Sequence, residues 1–129
     1  MLNEKMIRPA TNADEVEVTS LVFHVLHEYG LEPDPERTDA DLKDIEGSYA
    51  ERGGCFDVLL DDGGSIAGSV GLFPLSRDTY ELRKMYVHHG ERGKGFGKML
   101  LEHVLGRAAE MGFSHVVLET ASTLKEAID

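Results

Sequence analysis

Arg92-Gly93-Lys94-Gly95-Phe96-Gly97-Lys98 follows an alternating run, Tyr80-Glu81-Leu82-Arg83-Lys84-Met85-Tyr86-Val87, that has the pattern of a strand. The same stretch opens a helical run from about Phe96 to Met111. Glycines at 93, 95 and 97 carry no Cβ, so the backbone there can approach a ligand with its amides exposed. The first turn of a helix adds N–H groups without intrahelical partners and a dipole that favours negative charge. Strand, glycine-rich turn and helix start therefore make a cradle for an anion, most often a phosphate. Arg92, Lys94 and Lys98 bring cationic side chains to the same place.

Spacing narrows the ligand. A Walker-type loop needs Gly, four residues and then Gly-Lys-Ser/Thr, but Lys98 is followed by Met99, and Arg92 stands six residues before it. A dinucleotide fingerprint needs a third glycine three residues after the second, and here Gly97 is followed by Lys98, Met99 and Leu100. What fits is R-x-x-G-x-G on Arg92, Gly95 and Gly97, five residues after Val87. That pattern, between the strand Glu81 to Val87 and an amphipathic helix that leads to the strand His115 to Thr120, resembles the pyrophosphate-binding motif of the GNAT N-acetyltransferase superfamily. The resemblance implies acetyl-coenzyme A as the acetyl donor and no metal. It implies that the backbone of Met85, Tyr86 and Val87 runs beside the pantetheine arm, with an N–H there meeting the carbonyl oxygen as it gains negative charge. It places the amides of Gly93, Lys94, Gly95, Phe96, Gly97 and Lys98 on the pyrophosphate.

A length of 129 residues sets one domain, 1–129, with a real core. No segment is long and apolar enough to span a membrane, and Met1 to Met6 lacks the apolar run of a signal peptide. The single cysteine, Cys55, forms no intrachain disulfide, and the expected compartment is the cytoplasm. A formal charge of −11 argues against nucleic acid and anionic membrane surfaces as partners. The charge is unevenly spread: Arg83 to Lys98 holds five basic residues and one acidic, a local +4 against −15 elsewhere. A basic island in an acidic body suits an anionic cofactor and a separate amine-bearing acceptor.

Taken in order, Lys5 to Arg8 before Pro9 reads as a first strand. Thr11 or Asn12 caps the next helix, with Asn12 and Glu15 in the form of a capping box. Val18, Leu21, Val22, Val25 and Tyr29 give that helix its apolar stripe, and Gly30 ends it. His24 and His27 lie three apart on it, a spacing compatible with a metal pair but also with two solvated histidines. Leu31 to Glu36 is a loop, and Thr38 to Glu46 a short second helix, acidic on its outer face. Cys55 to Leu60 and Ser65 to Phe73 are strands joined at Asp61-Asp62-Gly63-Gly64, and Gly68 and Gly71 mark close packing. Thr79 to Val87 is the third antiparallel strand; Cys55 reads as core. Phe96, Met99, Leu100, Val104, Leu105, Ala108 and Met111 form the apolar face of the following helix, which Gly112 stops. Strand, helix, strand implies a right-handed crossover and a parallel pair. The fold class is thus α/β of the α+β type: a mixed sheet, antiparallel strands then a parallel pair around the glycine-rich loop, flanked by helices.

For the chemistry, the resemblance points to Glu81, eleven residues before Arg92, as the general base for an amine acceptor, a small molecule or a peptide or protein amine. The same glutamate reads otherwise as a surface residue paired with Arg83, and His88 and His89 at the strand end are alternative bases. Segment 31–50 is where the family builds its acceptor pocket. Related sequences continue from the strand 115–120 through a helix and a tyrosine into two last strands, whereas this sequence ends at Asp129. The expectation is an open strand edge that pairs with a second copy. Two functions follow: an acetyl-CoA-dependent N-acetyltransferase working by direct attack, or a shortened domain that binds coenzyme A or a partner subunit without turnover.

Overall fold

The turn at 61–64 shows how local chemistry sets the sheet. Asp61 Oδ1 accepts hydrogen bonds from the Gly63 and Ser65 amides, both at 2.9 Å, and Gly64 takes φ +85°. The chain thereby reverses between β2 (Cys55–Leu60) and β3 (Ile66–Pro74). The structure, a computed structural model, describes residues 6–118. β1 (Ile7–Pro9) pairs antiparallel with β2, β2 with β3, and β3 with β4 (Thr79–Val87). β5 (His115–Leu118) lies parallel to β4, with Thr79 opposite His115 and Leu82 opposite Leu118. The spatial order β1-β2-β3-β4-β5 is the mixed sheet expected from the sequence. The expected strand end at Glu119 and Thr120 and the helix after it lie outside the described residues; β5 stands at the edge of the described sheet, as the expected edge strand.

Each face of the sheet carries a core. On one face α1 (Glu15–Glu28) buries Val18, Leu21, Val22, Val25 and Leu26 against Phe56, Val58 and Tyr86. On the other, α3 (Phe96–Glu110) buries Phe96, Leu100, Val104 and Ala108 against Leu59, Leu72, Leu82 and Met85. Leu105 and Met111, counted in the apolar stripe by sequence, are exposed at 42% and 36%. The glycine positions that sequence marked for close packing are crowded: a Cβ on Gly68 would meet Leu100 Cδ1 at 3.0 Å, and one on Gly71 would meet Tyr49 Cε1 at 2.8 Å. Asp57, buried under α3, takes His103 Nε2 at 2.7 Å and Arg107 at 3.1 Å, which pins that helix to β2.

Two local expectations are corrected. The capping box belongs to Thr11 and Asp14, not to Asn12 and Glu15: Thr11 Oγ1 accepts from the Ala13 amide, and Asp14 Oδ2 accepts from the Thr11 amide at 2.9 Å. Asn12 is instead spent on a distant segment, donating to Asp44 and accepting from the Glu46 amide. The second helix is a 3₁₀ turn over Ala40–Asp44 that continues into α2 (Ile45–Ser48). Arg8 holds Asp14 through two 2.9 Å bonds and keeps that carboxyl below its usual range.

Candidate functional site

The site is built from β4. Tyr80 and Leu82 point into the core under α3, as strand alternation requires. The register then shifts between Ser69 and Gly71 on the neighbouring strand, and Lys84 takes φ +53°, a conformation uncommon outside glycine. This is a β-bulge, and it resets the alternation. Met85 and Val87 enter the α3-side core, while Tyr86 enters the α1-side core. The bulge comes immediately after Leu82↔Leu118, the last described parallel pair. Met85, Tyr86 and Val87 are each at most 4% exposed as whole residues, with their side chains in the two cores.

Glu81 and Arg83 share the other side of β4. Arg83 Nε bonds Glu81 Oε1, and the guanidinium lies over the Phe73 ring at 3.9 Å from its centroid. Both sequence readings of Glu81 therefore keep an observation: it is paired with Arg83, and it stands half-buried on the strand that leads to the loop. Lys84 is drawn away from solvent by Asp39 and Asp41, each 3.3 Å from its ammonium, and by the Thr38 carbonyl at 3.0 Å.

Past Val87 a 3₁₀ turn over His89–Glu91 leads into the glycine loop. Gly93 and Gly95 take φ +79° and +83°, and a Cβ at either would meet nothing within 4 Å. Gly95 is the N-cap of α3 and offers no side chain to its first turn. Among the described residues, the amides from Gly93 to Lys98 donate to no backbone or side-chain acceptor; the first helical bond is Met99 N–H to Gly95 O at 3.0 Å. A row of free amides at a positive helix end is what an anion requires. Phe96 adds only its amide, because its ring is core.

The cationic side chains are placed differently from the sequence expectation. Arg92 does not reach into the cradle. Its Nε donates to Val87 O at 3.0 Å and its two terminal nitrogens to Glu28 at 3.3 and 3.1 Å, which staples the loop to β4 and α1. Lys94 pairs with Glu91 at 3.1 Å, and Lys98 stands 3.9 Å from Glu102. A depression of about 500 Å³ borders Glu91, Lys94 and Phe96 on one side and Met6 and Asp61 to Gly63 on the other. Its acidic lining suits no phosphate, and Glu81 is not part of it. Cys55 is buried in the core, as read from sequence, and burial and the charge of Asp57 push its thiol up to about 12.

Sequence reasoning missed one constellation. His24 meets His88 and His89 rather than His27. Residues 24 and 89 are far apart in the chain, and only the tertiary fold joins them.

The fold thus sets a bulged fourth strand ahead of a glycine-lined helix start, an arrangement suited to an anion. Residues 20–129 match the Acetyltransferase (GNAT) family, and the chain belongs to it. Among relatives, a probable N-acetyltransferase family 8 member 5 from Mus musculus is 37% identical over 93 residues, which cover 68% of this chain and 40% of the mouse protein. The chain thus spans well under half the length of that relative. Among solved structures, a GNAT-family acetyltransferase from Staphylococcus aureus Mu50 superposes with a TM-score of 0.86 at 26% identity, covering 94% of this chain and 76% of that one. A phosphinothricin acetyltransferase from Sinorhizobium meliloti, solved in complex with AcCoA, superposes with a TM-score of 0.67 at 26% identity over 83% of this chain and 60% of its own. Among the described residues, no helix is long and apolar enough to cross a membrane.

Proposed function

We propose that the chain is an acetyl-CoA-dependent N-acetyltransferase that passes an acetyl group to a primary amine by direct attack. The observation that carries this reading is the row of unpartnered amides from Gly93 to Lys98 at the open end of α3. It fits a pyrophosphate, because glycines at 93 and 95 leave open space where side chains would stand. Acetyl-CoA would supply the activated acetyl group as a thioester. The chain's own part is to hold the phosphates on these amides and to offer the Met85 to Val87 backbone beside the pantetheine arm. Glu81 is the candidate base: its bond to Arg83 runs through Oε1, so Oε2 is the oxygen to meet an acceptor ammonium or a bridging water. Arg83, lying over Phe73, holds that carboxylate in place. Segment 31–50 stands on the same face of the sheet, with Tyr49 edge-on to Phe73, and is where the acceptor would be chosen.

Calorimetric titration with acetyl-CoA tests the reading, with Gly95→Glu and Gly95→Ala beside the wild type. Both variants carry the strain of a left-handed residue, about 1–2 kcal/mol, but only glutamate sets a carboxylate in the cradle. Micromolar binding that weakens at least about tenfold in Gly95→Glu beyond the alanine variant is the expected result. Wild-type protein that binds no acetyl-CoA would overturn the reading. Binding without amine acetylation across an amine library would favour the second function, a coenzyme A-binding domain without turnover.

A further inference from the structure

The three histidines that the fold gathers have the spacing of metal ligands. His24 leaves α1 near its C-terminal end, and His88 and His89 leave the end of β4. One ring nitrogen from each lies within 4.8 Å of the other two, and His24 Nε2 and His89 Nδ1 are 3.4 Å apart. Two nitrogens that each sit at the usual zinc–imidazole distance from one tetrahedral ion are about 3.3 Å apart. The observed pair is therefore already at ligand spacing. His88 stacks on His24 with ring centroids 5.6 Å apart and an interplanar angle of 12°, and it turns Nδ1 to the Gly90 amide at 3.2 Å. That exposed bond is long, and the Nδ1 lone pair that accepts it can pass to a metal ion without a change of tautomer.

The surroundings suit a cation. Glu28 Oε1 is 3.9 Å from His24 Nε2, and the Arg92 guanidinium is itself paired with Glu28. His24 and His89 are exposed and His88 is half-buried, so an ion has access from solvent. Imidazole donors select the zinc, nickel and copper class over magnesium or calcium, which prefer oxygen.

We propose that His24, His88 and His89 bind one transition-metal dication of the Zn²⁺ class, with water or Glu28 in the fourth position. The ion would clasp the end of α1 to the turn that precedes the glycine loop, beside the Arg92–Glu28 pair that already joins them. This proposal is independent of acetyl-CoA binding and of turnover.

The test uses the full 129-residue chain, freed of metal with a chelator and titrated with ZnCl₂ by calorimetry. Co²⁺ serves as the spectroscopic probe, because its visible bands report a tetrahedral nitrogen site. One ion per chain is expected, with a dissociation constant of about 10 μM or tighter and a rise in Tm on binding. His24→Ala and His89→Ala should each weaken binding at least about tenfold, whereas His27→Ala, on the same helix but outside the cluster, should leave it unchanged. Circular dichroism checks that each variant is folded, and glutamine at the same position, His24→Gln or His89→Gln, replaces an alanine variant that is not. Saturable binding that is absent from the wild type, or that survives the triple alanine variant, would overturn the proposal.

Discussion

The Lys84 ammonium is 3.3 Å from the carboxylates of Asp39 and Asp41, donates to the Thr38 carbonyl at 3.0 Å, and belongs to a residue only 1% exposed. Asp41 also accepts the Tyr49 hydroxyl, so one cation holds the segment 38–41 and, through Tyr49, the ring packing over Gly71. A buried charge is tolerable only while its partners remain, and removal of one partner leaves the others desolvated and unpaired. Lys84→Met should therefore lower the unfolding free energy by roughly 3–5 kcal/mol, read from the urea midpoint at constant slope. A loss below about 1 kcal/mol, the worth of an exposed pair, would show that water reaches both carboxylates. Sequence placed Lys84 in the basic island but could not bury it, because its partners lie more than forty residues upstream. Arg92 was misplaced for the same reason: Glu28 lies 64 residues away. Glu81 and Arg83, two apart on one strand, were legible as a pair because strand geometry alone puts them on one face.

Elements were read well where periodicity or a turn residue fixes them. β2 to β4 and α3 follow from alternation, from the hairpin at 61–64 and from Gly112 at φ +86°. The segment around 40–48 was less legible, because a 3₁₀ turn that runs into a single α-turn has too few residues to show a period. Glycines divide in the same way. Gly71, in the middle of β3, has Tyr49 Cε1 2.8 Å and Phe56 Cδ2 2.9 Å from where a Cβ would stand, and Tyr49 is fixed by its own hydrogen bond. Gly106, exposed on α3, has nothing within 4 Å. The same substitution should act in opposite directions at the two. Gly71→Ala overpacks the core and should cost roughly 1–3 kcal/mol. Gly106→Ala removes backbone entropy from the unfolded chain and should add about 0.5–1 kcal/mol. Guanidinium unfolding of both variants checks the pair of signs; a destabilised Gly106→Ala would mean that α3 is bent or frayed at that point.

On the scale of the whole molecule, the charge pattern in the sequence and its arrangement in space lead to different expectations. Five basic residues between 83 and 98 suggest a cationic patch in a −11 body. In the fold each has a carboxylate beside it: Arg83 has Glu81, Lys84 has Asp39 and Asp41, Arg92 has Glu28, Lys94 has Glu91 and Lys98 has Glu102. In the proposed function, the attraction for phosphate would rest on the amides and dipole of α3, which act at contact distance, while the long-range field is that of an acidic protein. Screening at high ionic strength removes long-range terms and leaves contact hydrogen bonds nearly intact. Acetyl-CoA affinity should then change by less than about threefold between 50 and 500 mM NaCl, because the contact attraction is kept and only the long-range repulsion from the acidic body is screened. The measurement is calorimetry across that salt series, with Lys94→Ala/Lys98→Ala as the companion variant. A drop of tenfold or more, lost in that variant, would show that the two lysines leave Glu91 and Glu102 for the ligand. The cradle would then be assembled by its ligand instead of being preformed in the fold.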